Sequence, residues 1–175
     1  MKPWEANIRK VVPYTPGEQP NESGMIKLNT NENPYSPAPG VEKALKALDA
    51  DTLRLYPDPT AGDLVHSIAA FYGLKDEQVF TGVGSDDVLA MCFLTFFNSE
   101  KPILFPDITY SFYDVWADVY RIPYQVKPLR EDFTIDPEDY KCENGGIIFP
   151  NPNAPTAIYE ELDFIEDILA PNRDS

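Results

Sequence analysis

Gln78-Val79-Phe80-Thr81-Gly82-Val83-Gly84-Ser85 runs straight into the apolar stretch Asp86 to Phe97. It reads as a short strand, a glycine turn and a helix in succession. A strand that passes through a tight turn into a helix is the opening half of a βαβ unit. The helix is apolar almost all round, so the reading predicts that it is buried on several sides.

The same rhythm continues in both directions. Downstream, Pro102-Ile103-Leu104-Phe105 is a second predicted strand, and Phe112, Val115, Trp116 and Val119 mark a helix. Tyr124-Gln125-Val126 is a third strand and Gly146-Ile147-Ile148-Phe149-Pro150 a fourth, with no polar alternation, as in a strand covered on both faces. Leu162, Ile165 and Leu169 give a last helix. Upstream, Val41, Ala44, Leu45 and Leu48 follow amphipathic helical spacing, and Tyr56-Pro57-Asp58-Pro59 breaks the chain. Ala61, Leu64, Val65, Ile68 and Tyr72 then share one helix face, with Thr60 as the predicted cap, Asp63 three residues on and Gly73 as the stop. Strands alternating with helices predict an α/β fold with a mostly parallel sheet flanked by helices. Residues 1–40 carry seven prolines and few apolar residues, so they read as an N-terminal arm, with residues 41–175 as the domain proper. There is no internal repeat.

Composition narrows the function. Hydrophobic residues make up 43% and charged residues 25% of 175, enough for a folded core. Net charge is −15, from 14 Lys+Arg against 29 Asp+Glu. Such a surface repels phosphate backbones and anionic membranes, so no nucleic-acid or membrane partner is expected. An anionic ligand would have to be held by backbone N–H groups and helix N-termini, or by cations from outside the chain. The two cysteines, Cys92 in an apolar run and Cys142 beside a turn, suggest neither a disulfide framework nor a metal site. His66, the single histidine, lies off the apolar face of its helix and reads as a solvated surface residue. With no signal peptide or membrane-length apolar run, a cytoplasmic protein is expected.

In an open α/β sheet, ligands sit beyond the carboxyl ends of the strands. Three features fall there: Gly82 to Asp86, Pro106 to Tyr110, and Asn151 to Ala157. The first can cradle a phosphate on helix N–H groups, with Ser85 capping or donating its hydroxyl; equally, it can be an ordinary turn whose Asp86 and Asp87 complement the helix dipole. Tyr110 can stack on a flat heteroaromatic ring or be a half-buried helix-start tyrosine. Asn153 can bond a ring hydroxyl or serve an Asx turn.

Five segments together resemble a known family. They are Leu28-Asn29-Thr30-Asn31-Glu32-Asn33-Pro34-Tyr35, Tyr56-Pro57-Asp58, Gly84-Ser85-Asp86, Pro106-Asp107-Ile108-Thr109-Tyr110 and Asn151-Pro152-Asn153-Ala154-Pro155-Thr156. Their order and approximate spacing resemble the histidinol-phosphate aminotransferases, fold type I enzymes of pyridoxal 5'-phosphate. The resemblance runs from about Pro13 to Thr156. It implies that backbone N–H groups near Gly84, Ser85 and Asp86 hold the cofactor phosphate and that Tyr110 stacks on the pyridine ring. It implies that Tyr56 reaches the cofactor phosphate of a neighbouring subunit, and that Tyr14 and Asn29 help form the substrate pocket, the arm crossing a homodimer. The family's asparagine before Pro-Thr-Gly, which bonds the ring 3-hydroxyl, is replaced by Ala154, and its glycine by Ala157; Asn153 is the nearest asparagine.

The family's later Asp-x-Ala-Tyr and Ser-x-x-Lys segments have no counterpart before Ser175, and Lys101, Lys127 and Lys141 lack the context of a Schiff-base lysine. The expectation is therefore the N-terminal part of the large domain of such an enzyme, inactive alone, with no catalytic residue and no metal in this chain. The full enzyme would transfer an amino group between L-histidinol phosphate and the 2-oxo acid 2-oxoglutarate, in histidine biosynthesis. The expected partner is a second copy or a complementary C-terminal half. Two alternatives stand beside this reading: a non-catalytic association module, whose unfinished sheet edge invites pairing, and part of a related decarboxylase of an amino acid phosphate.

Overall fold

The computed structural model describes residues 2–12, 17, 18, 22 and 24–173. Two compact units emerge: Thr15–Thr81, and Gly82–Ser175 together with Met1–Tyr14.

The larger unit carries the sheet. Strand β1 (Ile103–Pro106) and strand β2 (Tyr124–Lys127) pair in parallel, with Ile103 opposite Tyr124 and Pro106 opposite Lys127. On the other side of β1, Leu104 bridges Ile147 in parallel. There the Leu104 N–H donates to Gly146 O (2.9 Å) and the Ile148 N–H to Leu104 O (3.0 Å). The fourth predicted strand is thus present as a single bridge, a shorter ladder than its apolar run suggests. All four β1 residues are buried, as expected for the middle of a sheet covered on both faces.

Side chains alternate across β1, and the core divides accordingly. Ile103 and Phe105 pack with Phe93, Tyr113, Ala117 and Ile122. Leu104 packs with Ile135, Tyr140 and Ile168. The first cluster lies under helix α3 (Ser85–Phe96) and helix α4 (Tyr113–Tyr120). The second lies under helix α5 (Leu162–Leu169) and the 3-10 turn Pro137–Tyr140. Phe93 is fully buried, a burial that contributes about 1.5–3 kcal/mol. Helix α3 does not match the expectation of burial on several sides: only Ala90 and Phe93 are buried, and Met91, Leu94 and Phe96 are exposed. Its buried side packs against α4 and, through Phe93, against Ile103 and Phe105 of β1, and its opposite side stays exposed.

The smaller unit holds helix α1 (Pro39–Lys46) and helix α2 (Gly62–Tyr72). The apolar stripe of the first is exposed at Val41, Leu45 and Leu48. The second is capped at Ala61, in the left-handed conformation (φ 49°), and not at Thr60 as the sequence suggests. Asp58 takes the capping role. Its carboxylate accepts from the N–H groups of Thr60 (3.0 Å) and Gly62 (2.6 Å) and from the Thr60 hydroxyl (2.8 Å). Those bonds hold its carboxyl below the usual aspartate range, the Thr60 N–H first and the Gly62 N–H next. Gly73 ends the helix at φ 68°, as read from sequence.

The predicted strand Gln78–Thr81 is the main correction. A 3-10 turn occupies Asp76–Gln78, and Val79 is extended (φ −118°, ψ 124°) with no ladder partner among the described residues. Extended backbone becomes a strand only when a neighbour supplies the bonds.

Candidate functional site

The turn before α3 is built from two glycines with different reasons. Gly84 is the helix N-cap at φ 89°, ψ 170°, a conformation open essentially to glycine alone, and a Cβ there would meet nothing within 4 Å. Gly82 is needed for space: its Cβ would come within 2.8 Å of Val88 Cγ2 and 2.9 Å of Asp87 Oδ2. The Asp87 carboxylate folds back to accept from the Val83 N–H (3.2 Å), which turns one of the two acids onto the loop.

Helical bonding starts at Val88, whose N–H donates to Gly84 O (3.3 Å), and no side chain caps the helix. The N–H groups of Ser85, Asp86 and Asp87 therefore open outward from the first turn, at the positive end of the helix dipole. Ser85 is the first helical residue and does not cap; Gly84 holds that position.

Tyr110 stands beyond the carboxyl end of β1. Its hydroxyl donates to Asp86 Oδ1 (2.5 Å), joining this turn to the start of α3. Phe112 lies nearly parallel to its ring (26°, centroids 5.8 Å apart) and Tyr113 meets it edge-on (69°, 5.7 Å). Burial pushes the Tyr113 hydroxyl up to about 12.

Asn153 joins the third turn to the second. Its Oδ1 accepts from the Thr109 hydroxyl (2.8 Å) and its Nδ2 donates to Ile108 O (3.0 Å). Its backbone closes its own turn: Asn153 N–H donates to Ile158 O (2.8 Å), and Ala157 N–H donates to Asn153 O (2.7 Å). Asn153 is only 3% exposed. A cleft of about 520 Å³ opens beside this junction, with Thr109, Tyr110, Pro155, Asp107, Asp114 and Tyr124 among its walls. Its volume is within the range of small-molecule sites. The Tyr124 hydroxyl is pushed upward by burial first, then by the carboxylates of Asp118 and Asp114.

The structure thus brings together Gly84, Ser85, Asp86, Tyr110 and Asn153. Tyr56 and Asn29 belong to the smaller unit. Tyr56 is fully exposed, and the Asn29 side chain donates to Glu18 O (2.8 Å). Tyr14 lies outside the described residues. Thr109, which ties the second turn to the third, was given no role of its own in the sequence reading, and Asp87, read as complementing the helix dipole, also closes its own loop onto the Val83 N–H. Thr109 could have been found from its place between a strand end and an aromatic residue, where a hydroxyl readily serves a neighbouring turn. No group of three metal-ligating side chains occurs among the described residues, and His66 is exposed beside Asp76 (3.3 Å). No helix among them is long and apolar enough to cross a membrane.

Comparison with known proteins places these turns in a family. The sequence model for aminotransferases of class I and II matches residues 23–174. Histidinol-phosphate aminotransferase 1 of Hydrogenovibrio crunogenus is 54% identical over 172 residues, which is 98% of this chain and 48% of that protein. Histidinol-phosphate aminotransferases of Lactococcus lactis subsp. cremoris and Clostridium botulinum (strain Langeland) are each 52% identical, again across 98% of this chain and 48% of theirs. The chain spans about half the length of the curated relatives it matches. A solved structure from Erwinia carotovora atroseptica, provisionally described as a histidinol-phosphate aminotransferase, superposes with a TM-score of 0.72 at 20% identity, over 83% of this chain and 44% of that one. A second, from Burkholderia pseudomallei and provisionally described as an aminotransferase, gives 0.70 at 19% identity, over 81% and 44%. At those identities the structures speak for the fold alone.

Proposed function

The chain belongs to the class I and II aminotransferase family, and from that premise we propose that it is the N-terminal part of a histidinol-phosphate aminotransferase. The complete enzyme would exchange an amino group between L-histidinol phosphate and 2-oxoglutarate in the cytoplasm, as a step of histidine biosynthesis. The observation that carries this reading is the hydrogen-bonded convergence of three turns, through Asp86–Tyr110 and Thr109–Asn153, at the carboxyl end of β1. The names of the relatives favour the transferase over a decarboxylase or a non-catalytic module.

Pyridoxal 5'-phosphate, when bound, would supply the electron sink that amino transfer requires. The residues present fit it. The outward N–H groups of Ser85, Asp86 and Asp87, with open space on the side of Gly84, suit a phosphate in a chain whose net charge is −15. The Tyr110 ring, steadied by Asp86, suits a flat heteroaromatic. The carboxylates of Asp107 and Asp114 in the cleft walls disfavour a phosphate there, which supports the helix start as its site in this reading. Tyr56, fully exposed, would reach the cofactor phosphate of a second subunit, and Asn29 and Tyr14 would contribute to the substrate pocket. In this reading residues 1–40 form an intersubunit arm, and the lysine that tethers the cofactor comes from the half of the relatives that this chain does not match.

A chimera tests the proposal. This chain would replace the matching half of the Hydrogenovibrio crunogenus relative, and glutamate would be measured after adding L-histidinol phosphate and 2-oxoglutarate. Glutamate formation that depends on both substrates is the expected result. A folded chimera that binds pyridoxal 5'-phosphate but forms no glutamate would overturn the assignment.

A further inference from the structure

We infer that Asn153 is a positioning residue that acts through Tyr110, with the Thr109 hydroxyl as its partner, and is not a ligand of the cofactor ring. The inference rests on the function proposed above and assigns a role within that site. An asparagine that served a ring hydroxyl would direct one end of its amide into the cleft. Here each end holds the neighbouring turn: Oδ1 accepts from Thr109 Oγ1 (2.8 Å) and Nδ2 donates to Ile108 O (3.0 Å). Those are the two residues directly before Tyr110. The side chain is 3% exposed, so it is walled in by the turns it joins.

Its backbone is equally committed. The Asn153 N–H donates to Ile158 O (2.8 Å), its carbonyl accepts from Ala157 N–H (2.7 Å), and the Thr156 hydroxyl donates to the same carbonyl (3.2 Å). One residue therefore closes its own turn and pins the Tyr110 turn, 44 residues away in sequence for Thr109. Two bonds immediately before Tyr110 and one at its hydroxyl, to Asp86, fix the ring from both ends. A ring held this way meets a flat ligand without first being ordered, which is the general benefit of preorganisation.

The test is a double-mutant cycle in the chimera, read as the dissociation constant for pyridoxal 5'-phosphate and, separately, for inorganic phosphate. Thr109→Val removes the hydroxyl at nearly constant volume and leaves the buried Oδ1 without its donor. It should weaken pyridoxal 5'-phosphate binding about tenfold, as expected for a lost buried hydrogen bond. Thr109→Ser should restore binding. In a Tyr110→Ala background the same Thr109→Val change should have less than about a twofold effect, because its route of action has been removed. Binding of inorganic phosphate should not change. Asn153→Asp, which keeps the acceptor but turns the donor facing Ile108 O into a second acceptor, should behave like Thr109→Val.

A loss of equal size with and without the Tyr110 ring would overturn the inference, as would unchanged pyridoxal 5'-phosphate affinity in Thr109→Val. So would a parallel loss of inorganic phosphate binding, which marks general loosening. If the unsubstituted chimera binds no pyridoxal 5'-phosphate, the assigned function fails first and the inference falls with it.

Discussion

The hydroxyl of Tyr110 donates to Asp86 Oδ1, so the turn that follows β1 is fastened to the second residue of α3. Asp86 thereby has two separate assignments. Its carboxylate orients a ring, and its N–H points out of the helix start. An acid beside a proposed phosphate site looks unfavourable from sequence. The bond to Tyr110 shows where that side chain is directed.

Tyr110→Phe removes the hydroxyl and keeps the ring. It should weaken pyridoxal 5'-phosphate binding by a few-fold, in line with about 0.5–1.5 kcal/mol for one hydrogen bond. Tyr110→Ala should weaken it further, because the stacking surface goes as well. Fluorescence titration of the chimera with the cofactor would distinguish them. Equal losses would mean that the ring contributes nothing.

Gly84→Ala separates backbone strain from crowding. An added Cβ meets nothing within 4 Å, yet the backbone sits at φ 89°. The substitution should lower stability by about 1–3 kcal/mol through conformation alone. Relaxing that strain would turn the first N–H groups of α3, so inorganic phosphate affinity should fall too. Thermal unfolding and phosphate titration would check the two effects.

Much of this architecture was legible in the sequence. Helices were recognisable at Ser85–Phe96, Tyr113–Tyr120 and Leu162–Leu169 because apolar spacing and the turns around them agree. Strands at Ile103–Pro106 and Tyr124–Lys127 followed from short apolar or β-prone runs between turn residues. The convergence of the three turns followed from the rule for strand ends. What was hidden was of two kinds, partners distant in sequence and local signals left unread. Gln78–Thr81 has strand-like residues but no neighbour among the described residues to pair with. Asp58 caps from four residues before Gly62, outside the window in which a cap is usually sought. Nothing local reveals that Thr109 and Ile108 occupy the amide of Asn153. The Pro137–Tyr140 turn was overlooked although Asp136-Pro137 signals it, with the Asp136 side chain accepting from the Glu138 N–H (3.1 Å).

Gly145→Ala tests the fourth strand position. A Cβ at Gly145 would lie 2.5 Å from the backbone oxygen of Lys101 and 2.6 Å from Ser99 Oγ. Backbone cannot swing aside as a side chain can. The Gly145 N–H also donates to Pro102 O (2.9 Å), next to the bridge at Leu104. Overpacking of this kind should lower stability by about 1–3 kcal/mol. Chemical denaturation would show the loss, and amide exchange at Leu104 and Ile148 should rise with it. Unchanged protection there would mean that the segment beside β1 does not depend on this close approach.

Alkaline unfolding follows from Tyr113. Burial raises its hydroxyl from 10.0 to about 12 in the folded chain. A raised value means that the folded state holds the proton more tightly than the unfolded one. The resulting stability is complete below pH 10 and is lost as pH climbs from about 10 to about 12. Tyr124 shifts in the same direction. Loss of far-ultraviolet circular dichroism should therefore coincide with the late part of the phenolate absorbance rise, above the pH of free tyrosine. Tyr113→Phe keeps the packing against Phe93 and Phe105 and has no proton to lose. Its unfolding should move to higher pH while its stability at neutral pH changes little. An alkaline midpoint that stayed put in Tyr113→Phe would assign the transition to other groups.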